Sequence, residues 1–293
     1  MWDWHCGDKA APRPALARPT AISTLVNKLT VELSVEETLS AMVELASAGG
    51  EAADAVPALV DMLNSAHQAL RTSAIYTLAA IGEPAVDALC RLLEQAGERA
   101  STSEDGPNHD SRSITVHDGA YALGALGATA IEPLTKLLES SHEWTRMNAA
   151  FALGEMDSAA AVPVLEAALD DPSHYVIRVV ANSLGTIKKD APVERLSRLM
   201  SADRPEWDEV KNWGWTVRNA VNVTAAMALT RLGNQAAESE AALIEALQQP
   251  FGQLGFFAVQ ALNRIGTESA RQAVIDDLIA HRWDTSLSRS RSF

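Results

Sequence analysis

The chain has 293 residues, 38 acidic against 24 basic, and a formal net charge of −14. So acidic a surface excludes a general nucleic-acid binder, which must neutralise phosphates, and docking on anionic lipid. The chain is 47% hydrophobic but only 5% aromatic, so bulk disorder is excluded and Ala, Leu, Val and Ile carry the core.

From the N-terminus, residues 1–18 contain Pro12 and Pro14 and lack periodicity, and they read as an extended arm. No basic stretch followed by an apolar one marks a signal peptide there. Residues 21–29 predict a short capping helix, and Ser34-Val35-Glu36-Glu37 is a capping box opening the next. From that point one pattern recurs. It is clear in Ala120-Tyr121-Ala122-Leu123-Gly124-Ala125-Leu126-Gly127 and again in Ala150-Phe151-Ala152-Leu153-Gly154-Glu155-Met156. Its central leucines are Leu45, Leu78, Leu123, Leu153, Leu184, Leu229 and Leu262, at spacings of 33, 45, 30, 31, 45 and 33. A period in this range is the mark of a solenoid, which grows by adding units.

Each unit reads as two helices. Helix A carries a proline in its first turn, where the missing N–H costs nothing, as in Val56-Pro57-Ala58-Leu59 and Val162-Pro163-Val164-Leu165. Helix B carries the marker leucine and ends at a glycine placed for a left-handed cap. The expected fold is all-α, a right-handed α-solenoid of about seven helix pairs over residues 19–284, with a flexible tail at 285–293. The two long spacings are insertions near 99–112 and 201–215, both between helix A and helix B and so on one edge. That edge is the expected binding side.

The seven tryptophans avoid the repeated core positions. Trp144 lies in an A–B turn, and Trp207, Trp213 and Trp215 lie in the second insertion. Together with Tyr175 these are the candidate partner-binding residues, because aromatic rings dominate binding hot spots. Arg71, Arg146 and Arg178 enter successive B helices and read as a ladder bonding turn carbonyls or acids of the neighbouring repeat. His67, His142 and His174 recur in the A–B turns, as rings that cap the following helix. Cys6 and Cys90 form no Cys-x-x-Cys pair, which suits a reducing, cytoplasmic compartment, and Cys90 reads as a buried small hydrophobe. No apolar run is long enough to span a bilayer. No catalytic residue, metal site or cofactor is expected, and the partner is a protein rather than nucleic acid or membrane.

The Ala-x-x-Leu-Gly-x-Ile core, the helix-A proline and the entering arginine resemble the HEAT-repeat family, in particular the short bacterial repeats named after phycobilisome lyases. The resemblance covers roughly residues 34–280. It implies an interaction scaffold, or alternatively a chromophore lyase. One copy departs: Arg178 precedes its leucine by six residues, whereas Arg71 and Arg146 precede theirs by seven, so the entry to that helix is expected to differ. His117-Asp118 is similar to the His-Glu pairs that hold iron in deoxyhypusine hydroxylase. The aligned residues here, Thr72-Ser73 and Met147-Asn148, are not such ligands, and the resemblance implies no di-iron site. The opening Trp2-Asp3-Trp4-His5 and closing His281-Arg282-Trp283-Asp284 resemble the ends of HEAT regions that follow phytanoyl-CoA dioxygenase-like domains, which implies an accessory role as a further alternative.

Overall fold

A computed structural model describes residues 21–31, 34–102, 112–201, 221–248 and 253–281. The expected arm at 1–18, the tail at 285–293 and most of both insertions lie outside the described residues. Among the described residues there is no strand, and fifteen α-helices follow one another as α1 (Ile22–Thr30), α2 (Val35–Ala48), α3 (Val56–Met62), α4 (Gln68–Ile81), α5 (Val86–Thr102), α6 (Arg112–Leu126), α7 (Ile131–Leu137), α8 (Glu143–Glu155), α9 (Val162–Ala167), α10 (His174–Ile187), α11 (Val193–Ser201), α12 (Val221–Leu232), α13 (Glu240–Leu247), α14 (Gln253–Ile265) and α15 (Glu268–Ala280). The odd-numbered helices up to α13 are A helices and the even-numbered ones B helices. They make seven pairs closed by α15, an α-solenoid as the repeat pattern predicts.

The local signals act where they stand. Ser34 and Glu37 complete the capping box of α2, each bonding the other's backbone N–H. Pro57 and Pro163 sit in the first turns of α3 and α9. Four residues after every marker leucine the backbone turns left-handed, at Gly49, Gly82, Gly127, Asp157, Lys188, Gly233 and Gly266. Two of those seven positions bear side chains, so the turn is set by the repeat and only favoured by glycine.

The core is one continuous apolar column. Leu45, Leu78, Leu123, Leu153, Leu184, Leu229 and Leu262 are all fully buried in it. Small hydroxyls pin one repeat to the last: Thr115 and Thr145, each eight residues before its leucine, donate to the carbonyls of Leu63, the C-cap of α3, and Leu93, within α5, each on the A helix of the preceding repeat. B helices of successive repeats pack on one another far more closely than the A helices do. The tighter row is the inner one, so the solenoid curves with its B helices inside. Gly185 shows how close the approach is, since a Cβ there would lie 2.7 Å from the Ala228 Cα.

Candidate inner binding face

Where α-helices A and B meet, the expected arginine ladder is present in two rungs. Arg71 Nε donates to Asp118 Oδ2 (3.0 Å) and its Nη1 to the Ser65 carbonyl (2.9 Å). Arg146 is forked by Asp171, at 2.7 Å from Nε and 3.1 Å from Nη2, and its Nη1 donates to the Ser140 carbonyl (2.9 Å). Each rung ties an A–B turn to the following repeat. The planar guanidinium suits such fixed multi-point bonding.

Arg178 is not the third rung. The entry to α10 keeps its register, since His67, His142 and Ser173 are the N-caps of α4, α8 and α10 and each stands eleven residues before its leucine, but it differs locally, as the sequence predicts, in its cap and in its ladder residue. What shifts is the residue. Ile177, 3% exposed, fills the ladder slot, and Arg178 falls one position on. One residue is about 100° around a helix, which carries Arg178 from the edge to the inner face. Its Nε is buried without a hydrogen-bond partner, and burial lowers its pKa. The histidine expectation is also corrected. His67 and His142 cap with their backbone, whose carbonyls accept from Arg71 and Arg146 N–H, and neither ring caps its helix. At α10 the cap is the Ser173 hydroxyl, which accepts from the Tyr175 N–H and donates to Glu143.

The inner face is read by helical spacing. Positions nine, six and two before the marker leucine, and two after it, form one stripe on each B helix. On α4 the stripe carries Thr72 and Tyr76, and on α6 His117 and Tyr121. On α8 it carries Trp144, Met147, Phe151 and Glu155. Rings meet across helices here. His117 stacks on Phe151 with centroids 4.4 Å apart, and Tyr121 meets Phe151 edge-on at 5.0 Å and His117 edge-on at 4.9 Å. Tyr76, one repeat earlier, is 69% exposed and Tyr121 38%. The cluster sets its own electrostatics. The His117 ring, open on one side, loses hydration where the other rings cover it, which lowers its pKa against the pull of Asp118. The Tyr121 hydroxyl is pushed up by burial, then by the charges of Glu155 and Asp118. Burial also raises Glu155.

Of the residues singled out from sequence, Trp144 and Tyr175 are half-buried and occupy the same stripe position, nine before the leucine, on α8 and α10. They therefore stand at the end of the inner face rather than on a separate loop edge. Trp207, Trp213 and Trp215 lie outside the described residues. The sequence reading passed over Tyr76, Tyr121 and Phe151, although each is two residues before a marker leucine and the repeat alignment exposes that register. Asp118 serves Arg71, and among the described residues no cluster of His, Cys, Asp and Glu could hold a metal ion. Cys90 is half-buried, and desolvation, with Asp87 and Glu94 nearby, pushes its thiol up to about 11, which keeps it protonated and inert.

Residues 120–214 match the family model described as HEAT repeats, and residues 70–95 match that described as PBS lyase HEAT-like repeat. The chain thus contains HEAT repeats. No curated protein matches it. Among solved structures, an engineered protein is similar at 20% identity over 87% of this chain and 98% of its own, with a TM-score of 0.37. Human deoxyhypusine hydroxylase in complex with glycerol is similar at 19% over 83% and 95%, with a TM-score of 0.36. The complex of CpcE and CpcF of phycocyanin lyase from Nostoc sp. PCC7120 is similar at 17% over 93% and 99%, with a TM-score of 0.35.

Proposed function

We propose that this chain of HEAT repeats is a non-catalytic, protein-binding scaffold whose partner lies along the inner face of the B helices. One observation carries the reading. The His117–Tyr121–Phe151 ring cluster, with Tyr76 exposed at the matching position of α4, stands on a surface that the marker leucines have already stabilised without it. Solvent-open rings gathered on one face are costly unless something covers them. Aromatic anchors of this kind dominate interface energetics, at ~2 kcal/mol or more each. Trp144 and Tyr175 extend the surface at the N-terminal ends of α8 and α10. Trp207, Trp213 and Trp215 remain candidate contacts through their place in the insertion. Among the described residues no helix is long and apolar enough to cross a membrane. A cytoplasmic location belongs to the reading on cysteine usage.

The test is affinity capture from source lysate with three baits of equal helicity by circular dichroism. They are the intact chain, a Tyr76→Ala/Tyr121→Ala/Phe151→Ala variant, and a Trp207→Ala/Trp213→Ala/Trp215→Ala variant. A protein held by the intact chain and released by the first variant supports the inner face. Retention by the first variant and loss by the second moves the site to the insertion edge. Retention of nothing by any bait overturns the scaffold reading.

A further inference from the structure

The inner face changes character along its length. From α10 onward its stripe positions carry Arg178, Arg231 and Arg264, and no carboxylate stands at the corresponding positions of α10, α12 and α14. That opposes the chain's bulk balance of 38 acidic to 24 basic residues. Arg231 and Arg264 are aimed across the helix row by Nη1 alone, Arg231 also reaching the Asn182 carbonyl (3.4 Å) and Thr186 Oγ1 (3.5 Å). Arg231 Nη1 donates to Asn182 Oδ1 (2.7 Å), and Arg264 Nη1 to the Thr230 carbonyl (3.0 Å). Arg178 is bonded to nothing among the described residues, and its Nε is buried without an acceptor. A buried donor left unmade is a standing cost. The ladder shows what such a group takes in this molecule, since Arg71 and Arg146 are each filled by an aspartate.

We infer that the α10–α14 half of the inner face is a carboxylate-recognition surface, and that the partner lays an acidic segment across Arg178, Arg231 and Arg264 while its apolar side chains meet the ring cluster. This rests on the scaffold reading and adds the chemistry of the partner. Guanidinium forks discriminate carboxylates from amides by paired, charge-assisted hydrogen bonds. With a net charge of −14 the chain repels an acidic partner at long range, so recognition is local and falls as salt screens the contact. The chain's own acids at Asp203, Glu206, Asp208 and Glu209 share this chemistry and are the rival occupant.

The probe is a fluorescein-labelled synthetic peptide alternating Glu with Leu and Phe, read by fluorescence anisotropy against an isostere with Gln for Glu. The intact chain is expected to prefer the Glu peptide at least tenfold, with affinity falling as sodium chloride rises. Arg178→Gln/Arg264→Gln removes that preference, and Arg271→Gln, on α15, leaves it unchanged. The isostere comparison on the intact chain needs no variant to fold. Equal binding of both peptides, or an unchanged preference in the double variant, overturns the inference and leaves the scaffold reading to its own aromatic variants. Binding only after Asp203→Asn/Glu206→Gln/Asp208→Asn/Glu209→Gln assigns the site to the chain's own acids and also overturns it, as does no binding by any form.

Discussion

Lys188 holds a backbone conformation, φ 60°, that its side chain does not favour. At the same place after α4 stands Gly82, with φ 83° and open space around a would-be Cβ. An L-residue pays roughly 1–2 kcal/mol in the left-handed region, partly offset by the greater unfolded-state freedom of glycine. Lys188→Gly is therefore expected to stabilise the fold by about 0.5–1 kcal/mol, seen as a higher urea midpoint with an unchanged slope. His117 makes a different residue-scale prediction. Its folded pKa lies below the usual value of about 6.5, because Phe151 and Tyr121 exclude water from the ring. The unfolded chain therefore takes up this proton first as pH falls. The stabilisation is fully present above about 6.5 and drains away as pH drops toward the folded pKa. NMR titration of the imidazole is expected to show the lowered value, and Phe151→Ala to return it toward that of a free histidine. A His117 value at or above 6.5 in the intact chain would show that the cluster does not desolvate it.

At the scale of the element, the A–B turn is held by the ladder, and its two rungs differ. Arg146 and Asp171 are 12% and 7% exposed, against 19% and 17% for Arg71 and Asp118, and only the former pair is bidentate. Removing one partner from a buried pair leaves the other charge uncompensated. Asp171→Ala is expected to cost about 2–3 kcal/mol, and Asp118→Ala less, in chemical denaturation at constant salt. Equal small losses would make the ladder a surface ornament. The helices themselves were legible because Leu78, Leu153 and their counterparts repeat at fixed offsets from a proline before and a turn after. Arg178 leaves the ladder for a physical reason. A recurring letter suggested a recurring role, while the side chain's direction depends on its distance from Leu184, and one residue on a helix redirects it. Tyr121 and Phe151 lie within the repeat, two residues before its leucine, where one repeat alone shows only two aromatic residues on a solvated stripe. Their contact across α6 and α8 is tertiary, and no single repeat contains it.

At the scale of the whole molecule, no repeat has a core of its own, so stability is a sum over units and the interfaces between them. Units that bury less apolar surface should open first. The two ends are unequal here. α1 seats Leu25 and Leu29 in the core and leads into the capped start of α2. α15 buries only Ala270 and Val274, while Ile275, Leu278 and Ile279 stay 48%, 44% and 54% exposed. The closest helix packing lies at the centre, where α10 sits between α8 and α12. Local opening free energies follow buried apolar contact, so protection should form a gradient rather than one value. Amide hydrogen exchange read by mass spectrometry is expected to be fastest in α15, slower in α1, and slowest in α8, α10 and α12. A partner spanning α4 to α14 would couple units that otherwise open separately, and would slow exchange in α14 as well as in α4. Uniform protection along the free chain would mean that the solenoid unfolds as a single unit, and that neighbouring repeats are coupled more strongly than their shared surfaces imply.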